Sequence, residues 1–143
     1  MAARFQSVER LKVWQKAMDP VEVSYGISSQ LPSEERFGLI SQMRRAATSV
    51  PANIAEAFGR RNAPDFARFV SIASGSLREL ETHFQIAHRL GFVDAITVQK
   101  ALRMTEELSK MLYQMRCRVL ANIAAAGRKP ITRSNDHPQT TRS

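Results

Sequence analysis

The stretch Phe37–Arg61, FGLISQMRRAATSVPANIAEAFGRR, decides the architecture of this 143-residue chain. At about 100° per residue, Ile40, Met43, Ala47, Val50, Ile54 and Phe58 gather on one side of a helix. Gln42, Arg45, Ser49, Asn53, Glu56 and Arg60 run along another side. A solvated face is usually a looser mix of charges. The ordered polar stripe therefore predicts specified contacts inside a bundle, between subunits or with a ligand. Gly59 and the Arg60-Arg61 pair mark the end of the helix, where positive charge suits its dipole. Pro51 lies within it and predicts a local bend.

Upstream, Ser33 followed by Glu34 and Glu35 predicts the cap of this second helix. A first helix is expected from near Ser7 to Leu31-Pro32, carrying Leu11, Trp14, Ala17, Met18 and Val21 inward. Within it, Asp19-Pro20-Val21-Glu22 combines a capping acid with proline and glutamate, which predicts a kink or a restart. Downstream, Asn62-Ala63-Pro64-Asp65 caps a third helix that buries Phe66, Phe69, Ala73, Leu77, Leu80, Phe84 and Ala87. Its small middle, Ala73-Ser74-Gly75-Ser76, suggests close approach of another helix, and Gly91 suits a left-handed cap.

Asp94 caps a fourth helix reaching about Ala125, with Val98, Leu102, Leu108, Met111, Leu112, Met115, Val119 and Ile123 on its apolar side. Glu106 and Lys110 form an outward i,i+4 pair. Four amphipathic helices with loops of roughly 2–8 residues imply an all-α, antiparallel up-down-up-down four-helix bundle. Residues 1–126 form that domain, and residues 127–143 read as a disordered, basic, polar tail.

Net charge is +8, with the tail contributing +3 and residues 1–126 the remaining +5. That balance favours polyanions by counterion release. The amino-terminal residues lack the apolar core of a signal peptide, and no run approaches the ~18 apolar residues of a membrane span. A cytoplasmic protein that does not contact membranes is expected. Cys117 is expected to be a packed small side chain.

The segments LKVWQKAM (11–18), GLISQMRRAATSVPANIAEAFGR (38–60) and SIASGSLRELETHFQIAHRLGF (71–92) resemble the four-helix-bundle proteins named for 23S ribosomal RNA intervening sequences. The resemblance spans roughly residues 8–122, and its centre is Gln42, Arg44-Arg45-Ala46, Ser49-Val50, Asn53-Ile54-Ala55-Glu56 and Gly59-Arg60. It implies a homo-oligomer, with a pentamer favoured. Through the related accessory variability proteins of diversity-generating retroelements, it also implies a basic protein that binds nucleic acid and partners a reverse transcriptase. Asp19-Pro20 and Ala57 depart from the family pattern, which commonly continues the helix and places glycine there.

Arg44, Arg60, Arg61, Lys100, Arg103, Arg116 and Arg118 are the candidate contacts to RNA or DNA. Gln42, Arg45, Asn53, Glu56, Arg78 and Glu81 are read as structural or interface polar residues, and Glu56→Ala should loosen assembly or stability if Glu56 pairs a buried arginine. Helix three supplies a second polar stripe, Ser71, Ser74, Arg78, Glu81, Gln85 and Arg89. None of His83, His88 and His137 has the Glu-x-x-His spacing of carboxylate-bridged metal bundles. Neither a metal nor another cofactor is expected, and no residue pattern indicates catalysis. The expected function is a non-enzymatic binding or scaffolding module for nucleic acid. The alternative is a protein-binding adaptor with no nucleic-acid role.

Overall fold

The computed structural model describes residues 11–128. They form four helices, α1 (Lys12–Ser28), α2 (Leu39–Phe58), α3 (Ala63–Arg89) and α4 (Ala95–Gly127), with one 3-10 turn at Ser33–Glu35. No strand occurs among the described residues. Each helix packs on the next, and α1 also packs on α4, so the four surround a single core.

The α2 stripe buries Met43, Ala47, Val50 and Ile54 as its spacing predicts, while Ile40 and Phe58 lie at the margin. α3 answers with Ala73, Leu77, Leu80, Phe84 and Ala87, all buried, and with Phe66 and Phe69 half-buried. Two contacts set the relation of these helices. The rings of Phe58 and Phe66 meet edge to face at 4.9 Å, and the hydroxyls of Ser49 and Ser76 lie 2.8 Å apart.

Local capping follows the sequence at three places. Asn62 Oδ1 accepts from Asp65 N–H at 2.9 Å, opening α3. Gly91 adopts φ 77 after α3, the left-handed region open to glycine. Asp94 Oδ1 accepts from Thr97 N–H at 2.7 Å, opening α4, and this backbone bond holds the Asp94 carboxyl below its usual pKa.

Four expectations need correction. α2 does not begin at Ser33: the chain makes a 3-10 turn there and enters the helix only at Leu39, capped instead by the Glu35 carboxylate on Leu39 N–H at 3.1 Å. A Cβ at Gly38 would stand 2.8 Å from that carboxylate, so the glycine admits it. This delay lengthens the first connection to residues 29–38.

Of the kink or restart expected at Asp19-Pro20, the restart does not occur, because the helix runs unbroken through the proline. Pro20 gives up one backbone donor but buries its ring in the core. The fully buried α1 row is Val13, Ala17, Pro20, Ser24 and Ile27, leaving Leu11, Trp14, Met18 and Val21 half-buried beside it. The expected start near Ser7 and the tail beyond Arg128 lie outside the described residues.

Gly75 does not mark a close approach within the chain. It is exposed, and a Cβ there would have nothing within 4 Å. A glycine inside a helix costs about 1 kcal/mol relative to alanine, so the α3 sequence carries a local weakness with no contact in its own bundle.

Finally, the α4 apolar side is fully buried only as far as Leu112. Met115, Val119 and Ile123 are half-exposed, and Tyr113, Cys117 and Leu120 are exposed. The cause is length. α4 has 33 residues and α3 has 27, so at 1.5 Å per residue α4 is longer by about 9 Å. The expected packing of Cys117 fails for another reason: it lies about 160° around the helix from the Leu112 and Val119 row, on the outer face, where its thiol meets Tyr113 one turn away and raises the phenol pKa.

A denaturant series distinguishes the two parts of α4. Leu112→Ala is expected to cost about 2–5 kcal/mol by leaving a cavity, and Ile123→Ala less than about 1 kcal/mol. Equal losses would contradict the unsupported end.

Candidate nucleic-acid interface

Part of the two polar stripes is taken up by bonds within the bundle. Besides the Ser49–Ser76 contact, Asn53 Nδ2 donates to Ser49 O at 2.8 Å and to Ser49 Oγ at 2.9 Å. Ser71 Oγ donates to its own helix at Ala67 O, 3.0 Å away. Gln42, Arg45 and Arg78 remain exposed, and Glu81 is half-buried. Within the chain, the partner of Glu56 is not a buried arginine. Glu56 meets Arg60 at 2.6 Å in an exposed i,i+4 pair, a type of contact worth little in water.

The seven candidate cations do not form one surface. Arg44 is directed into the α1–α2 contact. Its Nε donates to Ser28 Oγ at 2.8 Å, and its guanidinium lies 4.6 Å from the Tyr25 ring centroid. Arg45, about 100° around the helix, points to solvent. Lys100 and Arg103 are exposed near the start of α4, and Lys100 lies 19 residues before Val119, about 28 Å along the axis.

Arg60 and Arg61 do meet the far end of α4. With Asn62, Ala63, Phe66 and Val119 they line an open depression of about 290 Å³. The Arg60 guanidinium lies 4.3 Å from the Phe69 ring centroid, which fixes its stem while the charge stays at the surface. Arg116 sits three residues before Val119 on the same face of α4, and Arg118 adjoins it. Both are exposed. No acidic residue occurs from Leu108 to Arg128, nor from Ala57 to Pro64. Arg60, Arg61, Arg116 and Arg118 thus share an end where cations outnumber acids, the carboxylates present being Glu56 beside Arg60 and Asp65 beside Asn62.

The chemistry of this end is ionic and hydrogen-bonding. Arginine forks suit phosphate oxygens in bidentate geometry. No group of three or more His, Cys, Asp or Glu side chains among the described residues is arranged to hold a metal ion. None of the helices described is long and apolar enough to cross a membrane.

A family model described as 23S rRNA-intervening sequence protein matches residues 9–114. The chain belongs to that family. No curated protein matches it. Among solved structures it is similar to a protein of unknown function from the S23 ribosomal protein family of Bacteroides thetaiotaomicron. The two share 23% identity with a TM-score of 0.68, covering 73% of this chain and 97% of that one. At this identity the likeness concerns the fold. The matched residues of the family model end within α4, before Arg116, Arg118 and the exposed end.

Sequence reasoning missed three contacts that hold the frame. Lys16 Nζ reaches Glu107 Oε1 at 2.9 Å, joining α1 to α4 and raising the lysine pKa through that bond. His88 Nδ1 lies 3.1 Å from Val93 O, tying the end of α3 to the following loop. Arg44 on Tyr25 and Ser28 is the third. Glu106 and Lys110 pair as expected, at 3.6 Å.

His83 supplies a pH dependence. Its Nδ1 is buried without a hydrogen-bond partner, and burial lowers its pKa, partly opposed by Glu79. As pH falls, the unfolded chain takes up the proton first. The His83 contribution to stability therefore declines below the usual histidine value and levels off once the folded ring protonates. His83→Phe should flatten that part of a stability–pH curve measured by urea denaturation. An unchanged slope between wild type and variant would contradict the assignment.

Proposed function

We propose that this chain is a non-enzymatic, self-assembling scaffold that holds RNA or DNA by its phosphates. Its frame is an antiparallel up-down-up-down bundle, a reading supported by the opposed order of the Ser49–Ser76 and Phe58–Phe66 contacts. The resemblance to intervening-sequence proteins supports a homo-oligomer, with five copies favoured. A closed ring would repeat each subunit's arginines around one axis, raising field strength without dense local charge.

The observation that carries the reading is the cationic end where the α2–α3 turn meets α4. Arg60 and Arg61 meet Val119 there, Arg116 and Arg118 stand within three residues of it along α4, and the α4 segment from Leu108 to Arg128 bears no acid. Phosphate contacts give affinity without sequence preference, so single- and double-stranded ligands should both bind.

Fluorescence anisotropy of labelled RNA and DNA, titrated at several salt concentrations, tests this. Binding should weaken as salt rises, with a logarithmic slope near −0.9 per phosphate contact for duplex DNA and about −0.7 for single strands. Arg61→Glu/Arg116→Glu/Arg118→Glu should reduce affinity by roughly tenfold or more and flatten the slope. Lys100→Glu/Arg103→Glu should have the smaller effect. No binding even at low salt would overturn the reading and leave a protein-binding adaptor. Equal losses in both variants would overturn the placement of the interface.

A further inference from the structure

The outward row of α3 reads Arg68, Ile72, Gly75, Glu79 at spacings of four, three and four residues, and all four are exposed. This row is opposite to the face that builds the core, and none of the other described helices covers it. Ile72 is 42% exposed despite its place in the middle of a long helix. Gly75 weakens the helix and has open space where a Cβ would be. Neither Arg68 nor Glu79 forms an ion pair with another described residue, and the Arg68 guanidinium only lies over Phe69 at 4.8 Å.

The spacing is symmetrical, and the charges at its two ends are opposite. We propose that this face docks the same face of a second copy of the chain, with the two α3 helices antiparallel about a two-fold axis. With Ile72 placed opposite Gly75 of the second copy, the equal spacings bring Arg68 opposite Glu79 of that copy. Symmetry repeats each pairing, so the contact contains two knob-in-gap pairs and two ion pairs. The absent Cβ at Gly75 makes room for the isoleucine, which gives the glycine a purpose its own bundle does not. Partly covered ion pairs set the register, and like charges facing one another would oppose it.

The inference rests on the self-assembly reading above but names a separate contact. A ring joins two different faces of each subunit, whereas this one joins a face to itself, and either contact can exist without the other. If both form, rings should pair face to face. If only the α3 contact forms, the protein should be a dimer.

Light scattering after size exclusion, on the full chain over a concentration series, tests it. Arg68→Glu and Glu79→Arg should each weaken the two-fold association by roughly tenfold or more, and the double reversal should restore it. Gly75→Gln should disrupt it too, with circular dichroism confirming retained helix. If Gly75→Gln unfolds, the charge reversals decide, since both positions are exposed. Halving of the wild-type mass in the single reversals, with rescue in the double, supports the contact. A multi-copy wild type whose mass is the same in every variant overturns the α3 contact and leaves self-assembly standing. A wild type that stays single-copy throughout overturns both.

Discussion

The seam between α2 and α3 is the constraint on which the rest of this structure depends. Ala46, Ala47 and Ala57 on one helix and Ala73 on the other are buried with Val50, Ile54, Leu77 and Leu80, and such small side chains let the two backbones lie close. The hydroxyls of Ser49 and Ser76 meet at the margin of this seam and satisfy each other, which removes the penalty for partly burying them. Because α2 and α3 are joined by a turn of only residues 59–62, fixing the seam also fixes where Arg60 and Arg61 stand. α1 is tied to that frame by Arg44, which stacks on Tyr25 and donates to Ser28. α4 packs on α3 and α1, with Lys16 and Glu107 linking the last pair at the surface.

Unequal helix lengths then separate stability from function. The core ends at Leu112 on α4, yet the helix continues to Gly127. Residues beyond that point contribute little to folding, so their composition is free to serve another purpose. They carry Arg116 and Arg118 without any acid, alongside the arginines of the α2–α3 turn. Charge on a projecting helix is accessible to a polyanion and is only weakly compensated from within the chain. The same arginines placed in the seam would have needed buried partners.

Features encoded within one or two turns were legible in the sequence. Asn62 and Asp94 cap α3 and α4, Gly91 takes the left-handed conformation, and the periodic apolar positions of α2 and α3 form the core. The start of α2 was not, because Ser33 and Glu35 satisfy a 3-10 turn as readily as a helix cap, and Glu35 reaches forward to Leu39. Periodicity also identifies a face without saying whether a neighbour is long enough to cover it. Hence Val119 and Ile123 lie on the apolar side of α4 as expected but stand half-exposed. The candidate cations were all visible as residues. Which of them share an end depends on contacts between distant segments, and those place Arg44 in a helix contact and bring Arg60 and Arg61 to Val119.

In the proposed function, nucleic acid is held where the α2–α3 turn meets the projecting end of α4. Amide hydrogen exchange with and without a single-stranded RNA tests the location directly, since an unsupported helix end exchanges readily when free. Added protection should be confined to residues 59–66 and 113–127. Protection centred instead around Lys100 and Arg103, or spread evenly over the bundle, would contradict it.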